Sequence, residues 1–517
     1  MFFRRFYDDQ LAQASYLLGC QATGEALVVD PNRHLEPYLR GAEAEGLRIT
    51  HVTETHIHAD FVSGARELAH RAGARLLLSD EGGEDWRYRY AGDAGAELLR
   101  DGSTFCVGRL AIRVVHTPGH TPEHLMFLVT DGAAATEPMG ALTGDFVFVG
   151  DVGRPDLLER AARMAGTMEA GARQLFRSLQ RLSALPDYLQ IWPGHGAGSA
   201  CGKSLGAVPQ STLGYERRFN WAFGVREETE FVRAVLAGQP DPPRYFAEMK
   251  RINRDGPRIR GGDARPAAAD VAALAEALAA GAPVVDARPA RAYAEAAIPG
   301  TLNIPGNRSF ATWCGSLLPY DRDFYLIADD RPNGAGDLVR ALGGIGLDRV
   351  AGWATPEVID RWRASGRPPA ATRLLDMRQT AEAIAARRAA LLDVRSRAEW
   401  AAGHLPGAVN LPLGEIEQRL GDLPRARPLI VQCQTGARAA IAASLLRALG
   451  IEEVYLYGGG FAEWSASGQA VERDTLGDGR ERIAGDEHDR RPGTQLVNPD
   501  GVGSESAGPE SAGPESA

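Results

Sequence analysis

The chain has 517 residues, of which 44% are hydrophobic and 24% are charged, and its formal net charge is -10 at pH 7. These fractions are typical of soluble globular proteins and indicate neither wholesale disorder nor a membrane protein. Because acidic residues outnumber basic ones, the chain lacks the excess positive charge typical of nucleic-acid-binding proteins, and we expect no nucleic-acid partner. A chain of this length has room for about three or four domains.

The start of the chain and its cysteines bear on localisation and redox state. No apolar run approaches the ~18 residues of a membrane-spanning helix, and the first segment, with Asp8 and Asp9, lacks a signal-peptide cleavage pattern. We therefore expect a cytoplasmic protein without a membrane partner. The five cysteines are scattered and odd in number, which predicts free thiols. Cys20 and Cys106 lie in apolar, strand-like segments and are expected to be buried packing residues.

Short β-branched runs bounded by Gly or Pro predict strands in the N-terminal region. These strands are expected at 47–55, 74–79, 110–117, 123–130, 140–144 and 188–196. Helical patterns occur at 64–73 and 170–182, and a helical segment broken by prolines follows at 226–257. The mixture predicts sheets with helices packed outside them, in a first domain at 1–255.

The C-terminal half contains two copies of one pattern. The stretch PVVDARPARAYAEAAIPGTLNIP, 283–305, matches ALLDVRSRAEWAAGHLPGAVNLP, 390–412, in its strand, Asp-x-Arg, helix, Pro-Gly and Asn-x-Pro. Two α/β units of about 100 residues each explain this repeat, and we expect them at 265–368 and 373–475. The small-residue repeats that end the chain predict an unfolded tail at 476–517.

Side chains that can bind a metal follow several of the predicted N-terminal strands. Six residues are placed in this way: His56, His58, Asp60, His120, Asp145 and His195. Imidazole and carboxylate groups that converge from strand ends suit a first-row transition metal. Four other histidines are expected to be surface or packing residues: His51, His70, His116 and His124.

The motifs THIHAD, TPGHT, TGD and PGHG, in this order, resemble the metallo-β-lactamase superfamily and, within it, the persulfide dioxygenases. The resemblance implies an αββα sandwich with a single metal held by His56, His120 and Asp145. Two-metal relatives such as the glyoxalase II thioesterases carry a histidine directly after the aspartate, where this chain has Phe61. The resemblance therefore implies one Fe(II) per chain, with coordination positions open for O2 and a substrate sulfur.

Several residues near these motifs each have two possible interpretations. His58, Asp60 and His195 either coordinate a metal or form hydrogen bonds to the ligands, and Asp60 with His195 leaves a weak second metal site open. Arg154 either holds an anionic group of the substrate or forms an ion pair that stabilises its loop. Cys201, in a Gly/Ser-rich loop after His195, either faces the same pocket or has no role in it.

A second candidate site lies in LIVQCQTGAR, where Cys433 stands at the junction of a predicted strand and a predicted helix. Gly436 allows a tight loop and Arg438 closes it. The backbone N–H groups of the loop, the helix N-terminus and Arg438 stabilise an anion there, which favours the thiolate. A thiolate accepts a sulfane sulfur, and the same loop holds the resulting persulfide. The loop residues between the two catalytic candidates are Gln434, Thr435, Gly436 and Ala437.

The stretch 375–472 resembles a rhodanese domain through LLDVRSRAEWAAGHLPGAVNLP, CQTGAR and YLYGGGFAEW. Phosphatase relatives with this fold use a loop one residue longer to fit phosphate, so the resemblance favours sulfur as the transferred atom. We expect Asp393 and Arg395 to support the loop from beneath rather than to contact substrate.

The middle copy lacks the residues that this chemistry needs. Asp329 or Asp330 is expected at the place of Cys433, and no arginine matches Arg438. Because sulfur transfer requires the thiolate, we expect the middle copy to be inactive and to serve as an interdomain spacer or docking surface.

The two sites together allow three interpretations of this α/β multidomain chain. In the first, Fe(II) and O2 oxidise a small-molecule persulfide to sulfite, and Cys433 moves sulfane sulfur between persulfide, sulfite and thiosulfate, as sulfide detoxification requires. The second is a zinc-dependent thioesterase like glyoxalase II, against which Phe61 counts. The third is a non-enzymatic sulfur carrier or docking protein. The sequence leaves open the thiol carrier, the direction of sulfur flux and the oligomeric state, including a homo-oligomer.

Overall fold

The computed structural model describes six stretches of the chain: 1–160, 166–203, 205–239, 241–262, 265–331 and 334–473. The predicted unfolded tail, 476–517, lies outside these residues. Within the described ranges, no helix is both long and apolar enough to cross a membrane. Met1–Arg473 form one compact unit.

The N-terminal region contains two six-stranded sheets. The first sheet lies in chain order: β1 (Phe2–Asp8), β2 (Gln13–Cys20), β3 (Glu25–Val29), β4 (Arg48–Thr53), β5 (Arg75–Ser79) and β6 (Glu97–Leu99). The second has the order β12-β11-β10-β9-β8-β7: β7 (Thr104–Val107), β8 (Leu110–His116), β9 (Leu125–Asp131), β10 (Gly140–Gly144), β11 (Gln190–Pro193) and β12 (Ser211–Thr212). Side chains of both sheets share one apolar core, which contains Leu18, Phe127 and Trp192. The two sheets therefore pack face to face.

Helices cover the outer faces of these sheets and complete the αββα sandwich. The helices α1 (Glu36–Glu43) and α2 (Ala65–Ala72) pack on the first sheet, and α4 (Thr167–Arg181) and α7 (Glu228–Leu236) pack on the second. The other helices of this region are α3 (Leu157–Arg160), α5 (Leu213–Phe219), α6 (Trp221–Gly224) and α8 (Phe246–Asp255). The predicted fold class is confirmed.

The sequence pattern misses the N-terminal strands β1 to β3. Every residue of β2 is buried, so this strand does not show the alternation of apolar and polar residues that marks a half-exposed strand. The burial of Cys106 is also predicted wrongly. Cys106 is exposed because it lies on the outward-facing side of β7, where exposed and buried positions alternate. Cys20 is buried as expected, and all five cysteines are free.

The two C-terminal copies each contain a five-stranded parallel sheet with the same strand order. The middle copy has the order β13 (Ala267–Ala268), β17 (Val350–Ala354), β16 (Phe324–Ile327), β14 (Val284–Asp286) and β15 (Leu302–Asn303). The last copy has the order β18 (Arg373–Leu375), β22 (Val454–Tyr457), β21 (Leu429–Gln432), β19 (Ala390–Asp393) and β20 (Val409–Asn410). The two copies of the sequence repeat thus fold into sheets with the same topology.

Helices flank both C-terminal sheets. In the middle copy they are α9 (Val271–Ala279), α10 (Ala290–Glu295), α11 (Phe310–Leu317), α12 (Ala335–Gly344) and α13 (Val358–Ala364). In the last copy they are α14 (Met377–Ala385), α15 (Arg397–Ala402), α16 (Ala437–Ala448) and α17 (Gly460–Ala466).

Contacts between the three regions are extensive. One apolar cluster contains Val62 and Met249 of the N-terminal region together with residues of both C-terminal copies. The backbone N–H of Val62 donates to the carbonyl of Gly344 in the middle copy at 2.7 Å, and Arg33 pairs with Asp348 at 2.8 Å. Because one apolar core joins all three regions, it does not mark where one domain ends and the next begins. The domain boundaries expected from the sequence pattern stay predictions.

Candidate functional site

The loops after three strands bring the predicted metal ligands together. His56 follows β4, His120 lies between β8 and β9, and Asp145 directly follows β10. Their ligand atoms lie within 4.8 Å of one another, and all three residues are buried. Oδ2 of Asp145 is 3.9 Å from Nε2 of His56 and 3.5 Å from Nε2 of His120. Strand ends that meet at one edge of the sandwich thus create a set of two imidazoles and one carboxylate.

Hydrogen bonds fix the orientation of both imidazoles. Nδ1 of His56 lies 2.9 Å from Oγ1 of Thr55, which in turn donates to Asp30 at 2.9 Å. Nδ1 of His120 lies 3.0 Å from the backbone carbonyl of Arg154. Because Nδ1 is engaged in each ring, Nε2 is the atom directed at Asp145.

The donor set fits a metal ion. Both carboxylate oxygens of Asp145 are buried without a hydrogen-bond partner, and an unpaired buried carboxylate is strongly unfavourable unless a cation compensates it. Burial lowers the pKa of both His56 and His120. Neutral imidazole is the form that coordinates a metal. The three residues therefore suit one transition-metal ion.

A second group of ligand-type atoms adjoins the first. Asp60, His195 and Cys201 are buried with their ligand atoms within 4.8 Å of one another. Nε2 of His195 lies 3.3 Å from Asp60 and 3.5 Å from Oδ1 of Asp145, while its Nδ1 faces the carbonyl of Ala12 at 3.0 Å. Burial raises the pKa of the Cys201 thiol well above its usual value, and the two carboxylates act in the same direction. The Cys201 side chain is thus brought to the pocket.

Phe61 and His58 lie together beside these groups, with ring centroids 4.4 Å apart. His58 turns its Nε2 toward Asp30, at 3.1 Å, and not toward Asp145. Although burial opposes the protonated form, the Asp30 carboxylate raises the pKa of His58 to about 9. Of the two interpretations for His58, the geometry supports the hydrogen-bonding one. Phe61 is completely buried, and its phenyl ring packs against the imidazole of His58.

Arg154 forms an ion pair and has no exposed surface. Its Nε and Nη2 donate to Asp156 at 2.8 and 2.7 Å, and its Nη1 donates to the carbonyl of Ala200 at 3.0 Å. The loop-stabilising interpretation is therefore the one that the geometry favours. Through its own carbonyl, Arg154 also orients His120.

Two residues near the metal ligands are not identified by sequence reasoning. His124 accepts a hydrogen bond from the backbone N–H of Asp145 at 3.1 Å, and its Nδ1 lies 2.8 Å from Thr117. Asn253, on α8, donates to the carbonyls of His58 and Phe61 at 2.8 and 2.7 Å. Only its proximity to the TPGHT motif could have drawn attention to His124, and no local signal marks Asn253.

The Cys433 loop has the strand-loop-helix geometry that the sequence predicts. Cys433 follows β21, is almost completely buried, and precedes α16. Gly436 has φ of 89°, and a Cβ there would lie 2.3 Å from the carbonyl oxygen of Gly458. Only glycine fits such a position. The carbonyl of Cys433 accepts a hydrogen bond from the backbone N–H of Phe461 at 2.8 Å, which fixes the base of the loop.

Charged side chains surround this loop in pairs. Arg438 donates to both carboxylate oxygens of Glu399 at 2.7 and 2.6 Å. Burial opposes ionisation of Glu399, but Arg438 prevails and lowers the pKa of Glu399 to about 2. Arg395 forms a buried ion pair with Asp393 at 2.7 Å and donates to Oε1 of Gln434 at 3.2 Å. Asp393 and Arg395 thus support the loop as expected, whereas the partner of Arg438 is not predicted.

Sheet register corrects the alignment of the middle copy. Asp393 pairs with Gln432, and the equivalent Asp286 pairs with Ile327. Ala328 therefore occupies the place of Cys433, and the prediction of Asp329 or Asp330 is wrong by at least one position. Register is a property of strand pairing, which a comparison of loops with different lengths does not reveal.

The start of the following helix also differs between the two copies. Arg438 is the second residue of α16, and the second residue of α12 is Gly336. The middle copy thus has neither the thiol nor the arginine of the last copy.

Comparison with known proteins places two regions of the chain. Residues 8–195 match the sequence model of the Metallo-beta-lactamase superfamily, and residues 371–467 match that of the Rhodanese-like domain. A metallo-beta-lactamase from Staphylococcus aureus subsp. aureus COL, with a crystal structure at 2.1 Å resolution, is 45% identical in sequence to this chain. The two structures superpose with a TM-score of 0.63, and the match covers 69% of this chain and 99% of that one.

Curated relatives match the N-terminal region. A probable metallo-hydrolase of Burkholderia pseudomallei (strain 1710b) is 30% identical over 215 residues, which cover 37% of this chain and 70% of that protein. A hydroxyacylglutathione hydrolase of Rhodospirillum rubrum is 30% identical over 185 residues, which cover 35% of this chain and 60% of that protein. The chain belongs to the metallo-beta-lactamase superfamily and carries a C-terminal rhodanese-like domain.

Proposed function

We propose that the N-terminal site oxidises a low-molecular-weight persulfide with O2 at one Fe(II) per chain, and that Cys433 transfers the sulfane sulfur. The net oxidation is RSSH + O2 + H2O → RSH + SO3²⁻ + 2H⁺, in which the outer sulfur loses four electrons and O2 gains them. The observation that carries this proposal is the buried, unpartnered carboxylate of Asp145, which faces Nε2 of His56 and Nε2 of His120.

The donor set supports iron over zinc in this proposal. Two histidines and one carboxylate that leave other positions open are typical of non-haem Fe(II) oxygenases. When bound, Fe(II) supplies the redox chemistry with O2. The replacement of the usual histidine by Phe61 removes a ligand for a second cation and puts a buried phenyl ring beside His58. A buried site that excludes water also disfavours hydrolysis.

The chain's own residues have separate tasks in this reaction. His56, His120 and Asp145 hold the ion, and Thr55 with the carbonyl of Arg154 keeps both imidazoles oriented. The burial of the site excludes bulk water from the reactive persulfide.

Cys433 performs the second reaction through its thiolate. Its persulfide, Cys433–S–S⁻, gives the outer sulfur to sulfite, so that the S–S bond breaks, thiosulfate forms and the Cys433 thiolate is regenerated. The Cys433 loop and the N-terminus of α16 stabilise the anion in both states. Joining both activities in one chain lets the sulfite produced at the first site be consumed at the second.

Metal analysis coupled to oxygen uptake tests the proposal. Protein purified without air is expected to contain about one iron per chain and to consume O2 when a small persulfide such as glutathione persulfide is added. Sulfite should form without Cys433, and thiosulfate only with it. Iron-loaded protein that takes up no O2 with any persulfide would refute the proposal.

A zinc-dependent thioesterase is the second candidate, and the cluster of Asp60, His195 and Cys201 favours it because these residues offer ligands to a second cation. The hydroxyacylglutathione hydrolase relative points the same way. This candidate predicts two zinc ions per chain and hydrolysis of a glutathione thioester, and the same metal analysis with a thioester assay decides between the two.

A further inference from the structure

A large cavity lies between the middle copy and the last copy. Its volume is about 820 Å³. On one side it is lined by the segments that follow β14, β15 and β16 of the middle copy, including Pro289, Pro305 and Asp329. On the other side it is lined by Thr435 and Gly436 of the Cys433 loop. The carboxyl ends of parallel strands are where α/β proteins bind ligands, so the inactive copy directs its own ligand-binding edge at the loop of the active copy.

A smaller cavity of about 310 Å³ shows the same arrangement. Asn307 and Trp313 of the middle copy line it together with Arg438 and Ile441 of α16. A hydrogen bond also joins the two copies, from the backbone N–H of Asn303 to the side-chain Oγ of Ser444 at 2.9 Å. The Cys433 loop is therefore approached through surfaces that both copies supply.

The size of the large cavity indicates what it binds. Pockets for organic small molecules have volumes of about 300–1,000 Å³, and this cavity lies in that range. Thiosulfate or sulfite, each with only a few heavy atoms, would leave most of the space empty. The occupant that fits is an organic molecule.

The lining gives the chemical class of that molecule. Charges of both signs occur on the middle-copy side, from Arg291 and Glu295 on α10 and from Asp329 after β16. Between them, apolar side chains such as Leu338 line the wall. Arg288 is committed to the fold, since it pairs with Asp286 at 2.6 Å and donates to the carbonyl of Ala296 at 2.8 Å. Arg291 pairs with Glu295 at 3.2 Å, and Asp329 pairs with Arg331 at 2.8 Å. Both ion pairs are exposed, so a ligand can displace them at low cost.

We infer that the middle copy is the substrate-binding half of the sulfurtransferase: the cavity holds a small zwitterionic thiol, of the amino-acid or peptide class, while it exchanges a sulfane sulfur with Cys433. This inference rests on the sulfurtransferase part of the proposed function. Arg291 binds a carboxylate of the thiol, and Asp329 binds its ammonium group. The loss of the middle copy's own thiol is then consistent with its role, because a binding wall needs no nucleophile.

The exchange balances without any further reactant. The Cys433 thiolate attacks the outer sulfur of RSSH, a bond forms between the Cys433 sulfur and that sulfur, and the RS–S bond breaks. The leaving RS⁻ takes the persulfide proton to become RSH, and Cys433–S–S⁻ remains. In the reverse direction, a bound RSH receives the sulfur and leaves as RSSH.

Two acceptors of different size test the inference on the full-length chain. Thiosulfate at saturation loads Cys433, and the rate is then measured with glutathione, which is zwitterionic, or with cyanide, which is too small to need the cavity. Arg291→Glu and Asp329→Lys are each expected to raise the KM for glutathione by about three- to tenfold, because each reverses a charge that contacts the thiol. Cyanide is the reference acceptor, and the rate with cyanide should fall less in either variant than the rate with glutathione.

The matched control is Arg363→Glu, because Arg363 is exposed in the same copy, pairs with Asp360 on α13 and does not line the cavity. This variant should leave both acceptors unaffected. A KM for glutathione within about twofold of the wild-type value in both cavity variants would overturn the inference. Equal losses with glutathione and cyanide would also overturn it, since the middle copy would then only support the Cys433 loop. A wild-type chain that transfers no sulfur to either acceptor would instead refute the proposed sulfurtransferase function.

Discussion

Asn253 donates a hydrogen bond from its side-chain amide to the backbone carbonyl of Phe61, at 2.7 Å. The same amide donates to the carbonyl of His58, and its oxygen accepts from the N–H of Ser63 at 2.9 Å. One buried side chain on α8 thus satisfies three backbone groups of the loop that carries His56. The helical segment after the sandwich is part of the metal site's support.

Replacing Asn253 by Ala is expected to loosen this loop. Three buried backbone groups would lose their partner, and the free energy of unfolding should fall by about 2–4 kcal/mol. Because the loop positions a ligand, metal affinity should also fall by about 10- to 100-fold. Chelator competition and urea unfolding measure the two effects. Arg251→Ala, an exposed change on the same helix, should alter neither; equal behaviour of the two variants would contradict the role of Asn253.

Phe61→His should add a metal ligand. The imidazole is smaller than the phenyl ring it replaces, and residue 61 directly follows Asp60, whose carboxylate lies 3.3 Å from Nε2 of His195. The metal content of the zinc-loaded variant is then expected to be about two ions per chain instead of about one. Its O2 uptake with a persulfide should fall. Elemental analysis checks the stoichiometry. Phe61→Leu, which keeps the wall apolar, should stay at the wild-type stoichiometry, and a histidine variant that does so as well would show that Phe61 does not limit metal binding.

Cys433→Ser should separate the two activities. A hydroxyl is a much weaker sulfur nucleophile than a thiolate, so transfer from thiosulfate to any acceptor should be lost. Oxygen uptake with a persulfide should stay largely intact, because the metal ligands lie in another region of the chain. Cys106→Ser, at an exposed cysteine, is the control and should affect neither activity. Loss of oxygen uptake in Cys433→Ser would show that the two sites do not act separately.

The ion pair of Glu399 and Arg438 should make the rhodanese-like domain's stability depend on pH. The pKa of Glu399 is lowered from its ordinary 4.5 to about 2, so the folded state favours the ionised form. This contribution is fully present above pH 4.5 and is lost as the pH falls toward 2. Because the pair is partly exposed, its worth at pH 7 is on the order of 1 kcal/mol.

Glu399→Gln checks this dependence. The variant should be less stable than the wild type at pH 7, and the difference should shrink at about pH 3. Thermal unfolding followed by tryptophan fluorescence at both pH values measures it. Glu382→Gln, which removes an exposed pair with Arg378 on α14, should change stability less at pH 7. A Glu399→Gln deficit that stays constant across this range would mean that ionisation of Glu399 is not its source.

Much of the site can be predicted because its residues stand at the ends of apolar strands. His120 and Asp145 each follow a run that reads as a buried strand, and neighbouring strand ends meet in space. Cys433 and Gly436 are found for the same reason, since a strand, a tight loop and a helix leave a local pattern. By contrast, the exposed position of Cys106 depends on which face of β7 points outward, and that is settled only when the sheet packs.

From periodicity, the sequence by itself predicted sheets with helices packed outside them and the repeated α/β units, because periodicity is a local property of the chain. The resemblance of its short motifs to known families implied the αββα sandwich and the residues of both sites. Only the tertiary structure decided which partners those residues have. Asn253 reaches the metal loop, Glu399 pairs with Arg438, and Ala328 occupies the middle copy's equivalent of Cys433. Each of these relationships joins residues distant in sequence or depends on strand register, and packing and hydrogen bonding fix them only when the elements come together.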